Sequence, residues 1–252
     1  MTARSIDLNA DMGEGFGAYK IGHDEALLDI VTSANVACGF HAGDATIMQS
    51  LAALAKEKGV GLGAHPGFND LWGFGRRAIQ MKARDLEYQV AYQIGALQGL
   101  AAFSGNRVRH VKPHGALYNM AARDADYAGA IARAVKAADA ALILVGLPGS
   151  EMQRAAERAG LRFAREGFCD RLYADDGSLM PRTAPGAVLK EPGSAAMQAV
   201  ALAEGAVVAA SGKTIPLEVD TLCIHGDEPA AVEVAKAVRA ALSAAGISLE
   251  HF

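Results

Sequence analysis

Hydrophobic and polar positions follow two rhythms along the chain. Short apolar or period-two runs predict strands over 5–10, 33–38, 60–64, 108–112, 141–145, 161–166 and 221–224. Between them, apolar residues recur three and four positions apart, which predicts helices. The stretch 23–31 has that spacing. Over 46–58, Ile47, Leu51, Leu54 and Ala55 form one stripe, and over 86–100 Leu86, Val90, Ile94, Leu97 and Leu100 form another. Further helices are expected over 126–138, 150–159, 194–204 and 229–244. Ser150 can cap its helix and Gly160 can stop it. Strand and helix alternate about seven times, which argues for a parallel sheet covered by helices. No linker or charge run divides the chain, so 1–252 is expected to be one domain. The exception to the rhythm is 174–192, ADDGSLMPRTAPGAVLKEP, read as a long loop with a short strand at its centre.

Composition narrows the function classes. Lys+Arg is 24 against 28 Asp+Glu, so no basic excess invites nucleic acid or an anionic membrane surface. Cys38, Cys169 and Cys223 show no CxxC spacing, which fits a reducing compartment. Residues 1–15 reach acidic side chains at once and lack the apolar core of a signal peptide. Apolar runs such as 141–147 are too short to span a bilayer. A cytoplasmic protein that binds neither nucleic acid nor membrane is expected. The 28 glycines are the unusual count, about 11% of the chain against a typical ~7%.

The glycines point to the chemistry. After nearly every predicted strand the chain turns polar and glycine-rich. The segments are Asn9-Ala-Asp11-Met-Gly-Glu14-Gly, Cys38-Gly-Phe-His41-Ala-Gly-Asp44, Ala64-His65-Pro-Gly-Phe-Asn69-Asp70, Lys112-Pro-His114-Gly-Ala-Leu-Tyr118-Asn119, Cys169-Asp170-Arg171-Leu-Tyr173 and Ile224-His225-Gly-Asp227-Glu228-Pro. In a parallel βα fold these strand ends share one face, where ligands bind. Histidines 41, 65, 110, 114 and 225 lie on or beside them. Asp7, Asn9 and Asp11 share one strand face, as do His110, Lys112 and His114 unless Pro113 breaks the strand. A helical HxxxH zinc pair is disfavoured by that proline.

Several readings remain beside this one. Asp11, His41, His65, His114, His225 and Asp227 could ligate a divalent ion, but no tight metal motif is present and no metal ligand is assigned. Gly13–Ala18 fits GxGxxG/A only formally, because Asp11 and Glu14 would repel a pyrophosphate. Ser211-Gly-Lys213-Thr214 lacks the earlier glycine of a P-loop, that place being Val207. Cys38 and Cys223 read as buried packing residues. Trp72 and Phe74 belong either to a lid or to an ordinary surface loop.

Five motifs in order carry a resemblance: DLNADMGEGFG (7–17), ANVACGFHAGD (34–44), GAHPGFND (63–70), RHVKPHGALYN (109–119) and CIHGD (223–227). They resemble the LamB/YcsF family, whose members are A subunits of bacterial ATP-dependent 5-oxoprolinase. The similarity runs from about residue 5 to 245; Cys169 departs from it, at a place where alanine is expected. The resemblance implies a seven-stranded βα barrel related to glycoside hydrolase and deacetylase barrels. It implies cleavage of 5-oxo-L-proline to L-glutamate with partner subunits B and C, ATP being a co-substrate of the complex.

For that chemistry Asp11 is expected to be the base for water, Lys112 to stabilise negative charge, and His114 or His41 to protonate the ring nitrogen. Arg171, oriented by Asp170, would hold the substrate carboxylate. Asn9, Glu14, His65, His225 and Asp227 would shape the pocket. Neutralising Asp11 or Lys112 is expected to abolish turnover and spare the fold. The alternatives are a stand-alone metal-dependent amide or carbohydrate deacetylase on the same barrel, and a non-enzymatic ligand-binding subunit.

Overall fold

The computed structural model describes residues 4–225 and 230–252. The first units are β1 (Arg4–Met12), α1 (Asp24–Leu28), β2 (Ser33–Ala37), α2 (Ala45–Glu57), β3 (Gly61–His65), α3 (Ala83–Ala102) and β4 (Val108–Val111). Then come α4 (Gly115–Ala121), α5 (Ala125–Ala138), β5 (Ile143–Gly146), α6 (Glu151–Ala159), β6 (Arg162–Phe168) and α7 (Pro192–Ala203). The chain ends with β7 (Ala206–Val208), β8 (Thr214–Pro216), β9 (Thr221–Ile224), α8 (Ala231–Ala244) and β10 (Ile247–Leu249). Ser150 caps α6 by accepting from the Gln153 amide, and Gly160 closes it in the left-handed region, as their positions predicted.

Seven strands, β1-β2-β3-β4-β5-β6-β9, run parallel, and β9 pairs back onto β1 to close a barrel. Asp7 pairs with Thr221 at the closure, and Asp11 with Asn35 on the other side of β1. The expected alternation is visible in β1. Ile6, Leu8, Ala10 and Met12 join the main apolar core. Asp7, Asn9 and Asp11 turn the other way and hydrogen-bond to side chains of neighbouring strands. The barrel interior is therefore largely polar, and the apolar core lies between strands and helices.

That polar interior needs room. A Cβ at Gly63 would lie 2.0 Å from His110 Nε2, so glycine at 63 admits the imidazole into the barrel. His110 Nε2 lies 2.8 Å from Asn35 Oδ1. The far end is closed by the chain terminus. Phe252 packs on Ile143, Val145 and Ala164 and meets the His110 ring edge-on at 5.1 Å.

Two expectations change here. The segment 174–192 holds no strand; it is a loop tied by isolated bridges, Arg171 to Val188 and Tyr173 to Leu179. Conversely, β7 and β8 form an antiparallel hairpin the periodicity did not show, because each strand has only three residues. Ser211–Thr214 lies at its turn, where Ser211 Oγ donates to Asp175. The expected helix start at 229 lies outside the described residues. No described helix is long and apolar enough to cross a membrane.

Asp7 anchors the closed end. Its carboxylate accepts from Ser33 at 2.6 Å, from Thr32 at 2.7 Å and from Thr221. Burial nevertheless pushes its pKa up, to about 6. The folded state thus holds this proton more tightly than the unfolded chain, so the stabilisation is complete below about pH 4 and is lost as pH rises through 6. Compared with Asp7→Asn, the parent should lose about 2 kcal/mol of stability between pH 4 and pH 7. Denaturant melts of both proteins across that range test this, and parallel curves would contradict it.

Candidate active site

Three strands deliver charge to one point inside the barrel. Lys112, just past β4, is 2% exposed. Its Nζ lies 2.9 Å from Asp11 Oδ1 on β1, 2.8 Å from Glu166 Oε1 on β6 and 3.0 Å from Cys223 Sγ on β9. Burial alone would discharge the amine, but Asp11, Cys223 and Glu166 outweigh it and hold its pKa well above the usual range. Burial likewise opposes the charge on Asp11, and His65 and Lys112 overcome it, holding that carboxyl well below its usual range. Asn9 and Asn35 form the layer beneath: Asn35 Nδ2 donates to Asn9 Oδ1 at 2.7 Å and to Asp11 Oδ1 at 3.0 Å.

Beside this group sits a cluster of imidazoles. His65 ends β3, and its Nδ1 lies 2.6 Å from the Lys112 carbonyl. His114 stands at the N-terminus of α4, its Nε2 2.8 Å from the Phe74 carbonyl. His41 stacks on His114 with centroids 3.7 Å apart. Glu14 Oε1 lies 3.5 Å from His114 Nδ1 and 3.6 Å from His41 Nε2. Burial and the neighbouring imidazoles push the pKa values of His41 and His114 well down, so both rings are neutral. Phe74 packs edge-on to both rings and has φ 53°, a strained value for a side chain of that size.

The third part is on the rim. His225 follows β9, and its Nδ1 lies 2.8 Å from Asp170 Oδ2. Burial would raise the Asp170 pKa, but the contacts with His225 outweigh it and keep it lowered. Arg171 donates from Nη2 to the Met180 carbonyl at 2.5 Å, while its buried Nε has no partner among the described residues. Burial, then Arg182, lowers its pKa to about 10. A cavity of about 690 Å³ joins these groups; Asp11, Lys112, His114, Arg171 and His225 all line it. The 177–183 loop forms another wall. A small polar ligand here would meet cations that include Lys112 and Arg171, carboxylates that include Asp11, and the His225 imidazole that Asp170 orients.

Residues 6–252 match the LamB/YcsF family. The chain belongs to that family. It is 53% identical to the 5-oxoprolinase A subunit of Rhodopseudomonas palustris (strain BisB18), the alignment covering 98% of each chain. It is 54% identical to the 5-oxoprolinase A subunit of Methylococcus capsulatus, covering 97% of this chain and 95% of that one. Among solved structures it resembles the lactam utilization protein from Thermus thermophilus, with TM-score 0.94 and 47% identity over 98% of this chain and 100% of that one.

In this LamB/YcsF chain the residues singled out from sequence do not all take the expected places. Asp11, Glu14, His41, His65, Lys112, His114, Asp170, Arg171 and His225 gather at one barrel end. Asn9 lies below them, donating to Thr221 rather than facing the cavity. Asp227 is outside the described residues. Asp170 does not orient Arg171 through a hydrogen bond; it holds His225. Cys38 and Cys223 are buried thiols whose pKa values burial drives up, to about 12 for Cys38. Cys223 is also a contact of Lys112, beyond the packing role expected of it. Trp72 projects into solvent at 98% exposure, so of the expected lid pair only Phe74 touches the site. Glu166 and Asn35 were not anticipated. Their one signal was a polar side chain inside a strand predicted to be buried.

This geometry changes one expectation. Replacing Lys112 by Met leaves Asp11 and Glu166 facing each other without a buried cation. The fold should not be spared: about 3–5 kcal/mol of stability should be lost. Glu166→Gln in the same chain should restore part of it. Thermal melts of the single and double variants check this, and an unchanged melting temperature for Lys112→Met would contradict the buried-charge account.

Proposed function

We propose that this chain is the lactam-cleaving subunit of an ATP-dependent 5-oxoprolinase, converting 5-oxo-L-proline to L-glutamate with partner subunits B and C in the cytoplasm. All 252 residues would act as one domain. The observation that carries the reading is the buried Asp11–Lys112–Glu166 group opening onto a cavity rimmed by Arg171 and His225. The names and near-complete overlap of the relatives support it.

A five-membered lactam is a stabilised amide, and its carbonyl carbon resists water. ATP spent by the partners activates it by phosphorylating the amide oxygen. No nucleotide cradle is assigned to this chain, since Ser211–Thr214 is a hairpin turn and not a strand-to-helix loop. Water then adds to the carbonyl carbon, the C–N bond breaks as the nitrogen takes a proton, and a second water releases inorganic phosphate. This chain supplies the surroundings for those steps.

Lys112 stabilises the negative charge that grows on oxygen. Asp11, held ionised by Lys112 and His65, is a weak base and serves better to orient the water. The base role passes to His225. Asp170 accepts from its Nδ1 and leaves Nε2 as the acceptor. Having taken the proton of the water on Nε2, the same ring can return it to the departing nitrogen. Arg171 lines the cavity, and its guanidinium is the cation placed to hold the substrate carboxylate.

The assembled complex, given 5-oxoproline and ATP, should release glutamate, and without ATP it should not. His225→Gln should lower kcat by about 10²–10⁴, and Asp11→Asn should lower it comparably. Near-normal turnover in both variants would remove this site from the reaction.

A further inference from the structure

The hydrogen atoms of the histidine cluster can be placed from its carbonyl partners. A carbonyl oxygen only accepts, so His65 must carry its proton on Nδ1, facing the Lys112 carbonyl, and His114 on Nε2, facing that of Phe74. The nitrogens left to face the cluster are then His65 Nε2, which also lies 3.4 Å from Asp11 Oδ2, and His114 Nδ1. Those two atoms face each other at 3.0 Å. Two lone pairs at that distance repel unless a positive charge lies between or beside them.

Two further groups turn toward the same place. Glu14 Oε1 lies 3.5 Å from His114 Nδ1 and 3.6 Å from His41 Nε2. His41 is only 1% exposed, yet neither of its ring nitrogens has a hydrogen-bond partner among the described residues. Glu14, His41, His65 and His114 each offer one donor atom, and all four atoms lie within 4.8 Å of one another. A single shared proton would relieve the His65–His114 pair, but would leave the two buried nitrogens of His41 unanswered. A cation taken up by Glu14, His65 and His114, with His41 Nε2 inside the same 4.8 Å, answers that convergence.

We propose that Glu14, His41, His65 and His114 form a binding site for one divalent transition-metal ion. Three imidazoles and one carboxylate select zinc, cobalt or nickel over magnesium or calcium, which prefer all-oxygen ligands. Metal–nitrogen bonds of about 2.0–2.1 Å place neighbouring tetrahedral ligands about 3.3 Å apart, and the three separations above straddle that value. The Lys112 and Phe74 carbonyls are the outer partners that fix tautomer and ring direction at such sites. Glycines make the close packing feasible: a Cβ at Gly67 would lie 2.6 Å from His41 Nδ1, and one at Gly75 2.8 Å from His114 Cδ2. Glu14, His65 and His114 also line the cavity, which supplies an entry path. The lactam-cleavage reading is not needed for the ion to bind.

The test uses the full chain stripped with chelator and then titrated with Zn²⁺ or Co²⁺ alone. Calorimetry and elemental analysis should give about one ion per chain, and Co²⁺ should develop the visible d–d bands of a nitrogen-rich, low-coordinate site. Zn²⁺ should raise the melting temperature. His65→Ala, His114→Ala and Glu14→Gln should each weaken binding at least about a hundredfold. If a variant does not fold, the cobalt spectrum of the parent chain decides. No stoichiometric uptake by the stripped parent, or uptake unchanged in folded His65→Ala and Glu14→Gln, overturns the proposal and leaves a protonated histidine pair in its place. Intact glutamate formation by a complex in which this chain takes up no ion overturns the metal site alone. Intact metal uptake without glutamate formation counts against the lactam reading alone.

Discussion

An ammonium group inside a protein must be neutralised where it sits. Lys112 places one at the centre of the barrel, and much of the interior follows from that. Its charge requires Asp11 and Glu166, which come from strands far apart in sequence. Those carboxylates need donors of their own, and Asn35 supplies one. Asn9 and Thr221 continue the network down to Asp7 at the closed end. Buried polar groups are tolerated only when their partners are in place, so the network is satisfied as a unit or not at all. The apolar core is displaced to the outside of the barrel, against the helices.

The same lysine links the charge group to the histidines, because its own carbonyl holds the His65 ring. One backbone position therefore sets both halves of the site. Asp11 and His65 stand at the ends of their strands, and His114 caps α4. Gln93 of α3 braces the adjoining turn, its amide bonding both the N–H and the C=O of Gly67 at 2.9 Å. Preorganisation of this kind is what electrostatic catalysis and metal binding both require.

Much of the architecture was readable before any fold was known. The period-two pattern in Asp7-Leu-Asn9-Ala-Asp11 already separated a polar face from an apolar one, and both faces are found in β1. The glycine-rich strand ends, including Gly13, Gly39 and Gly115, mark the end of the barrel where the cavity opens. The partnerships were less accessible. Asp170 adjoins Arg171 in sequence and looked like its partner, yet it bonds His225, 55 residues away. Glu166 passed as the last residue of a strand.

Local pattern thus determined the order of βα units, the split between inward polar and outward apolar positions, and the end of the barrel onto which the cavity opens. These depend on the period of the backbone and on solvent, which act within a few residues. Which charges meet was decided only by closure of β9 onto β1 and by the register of the strands between. An ion pair or a metal site depends on separations of a few ångströms between atoms brought from distant segments. Periodicity along one strand carries no information about the register of the strand beside it.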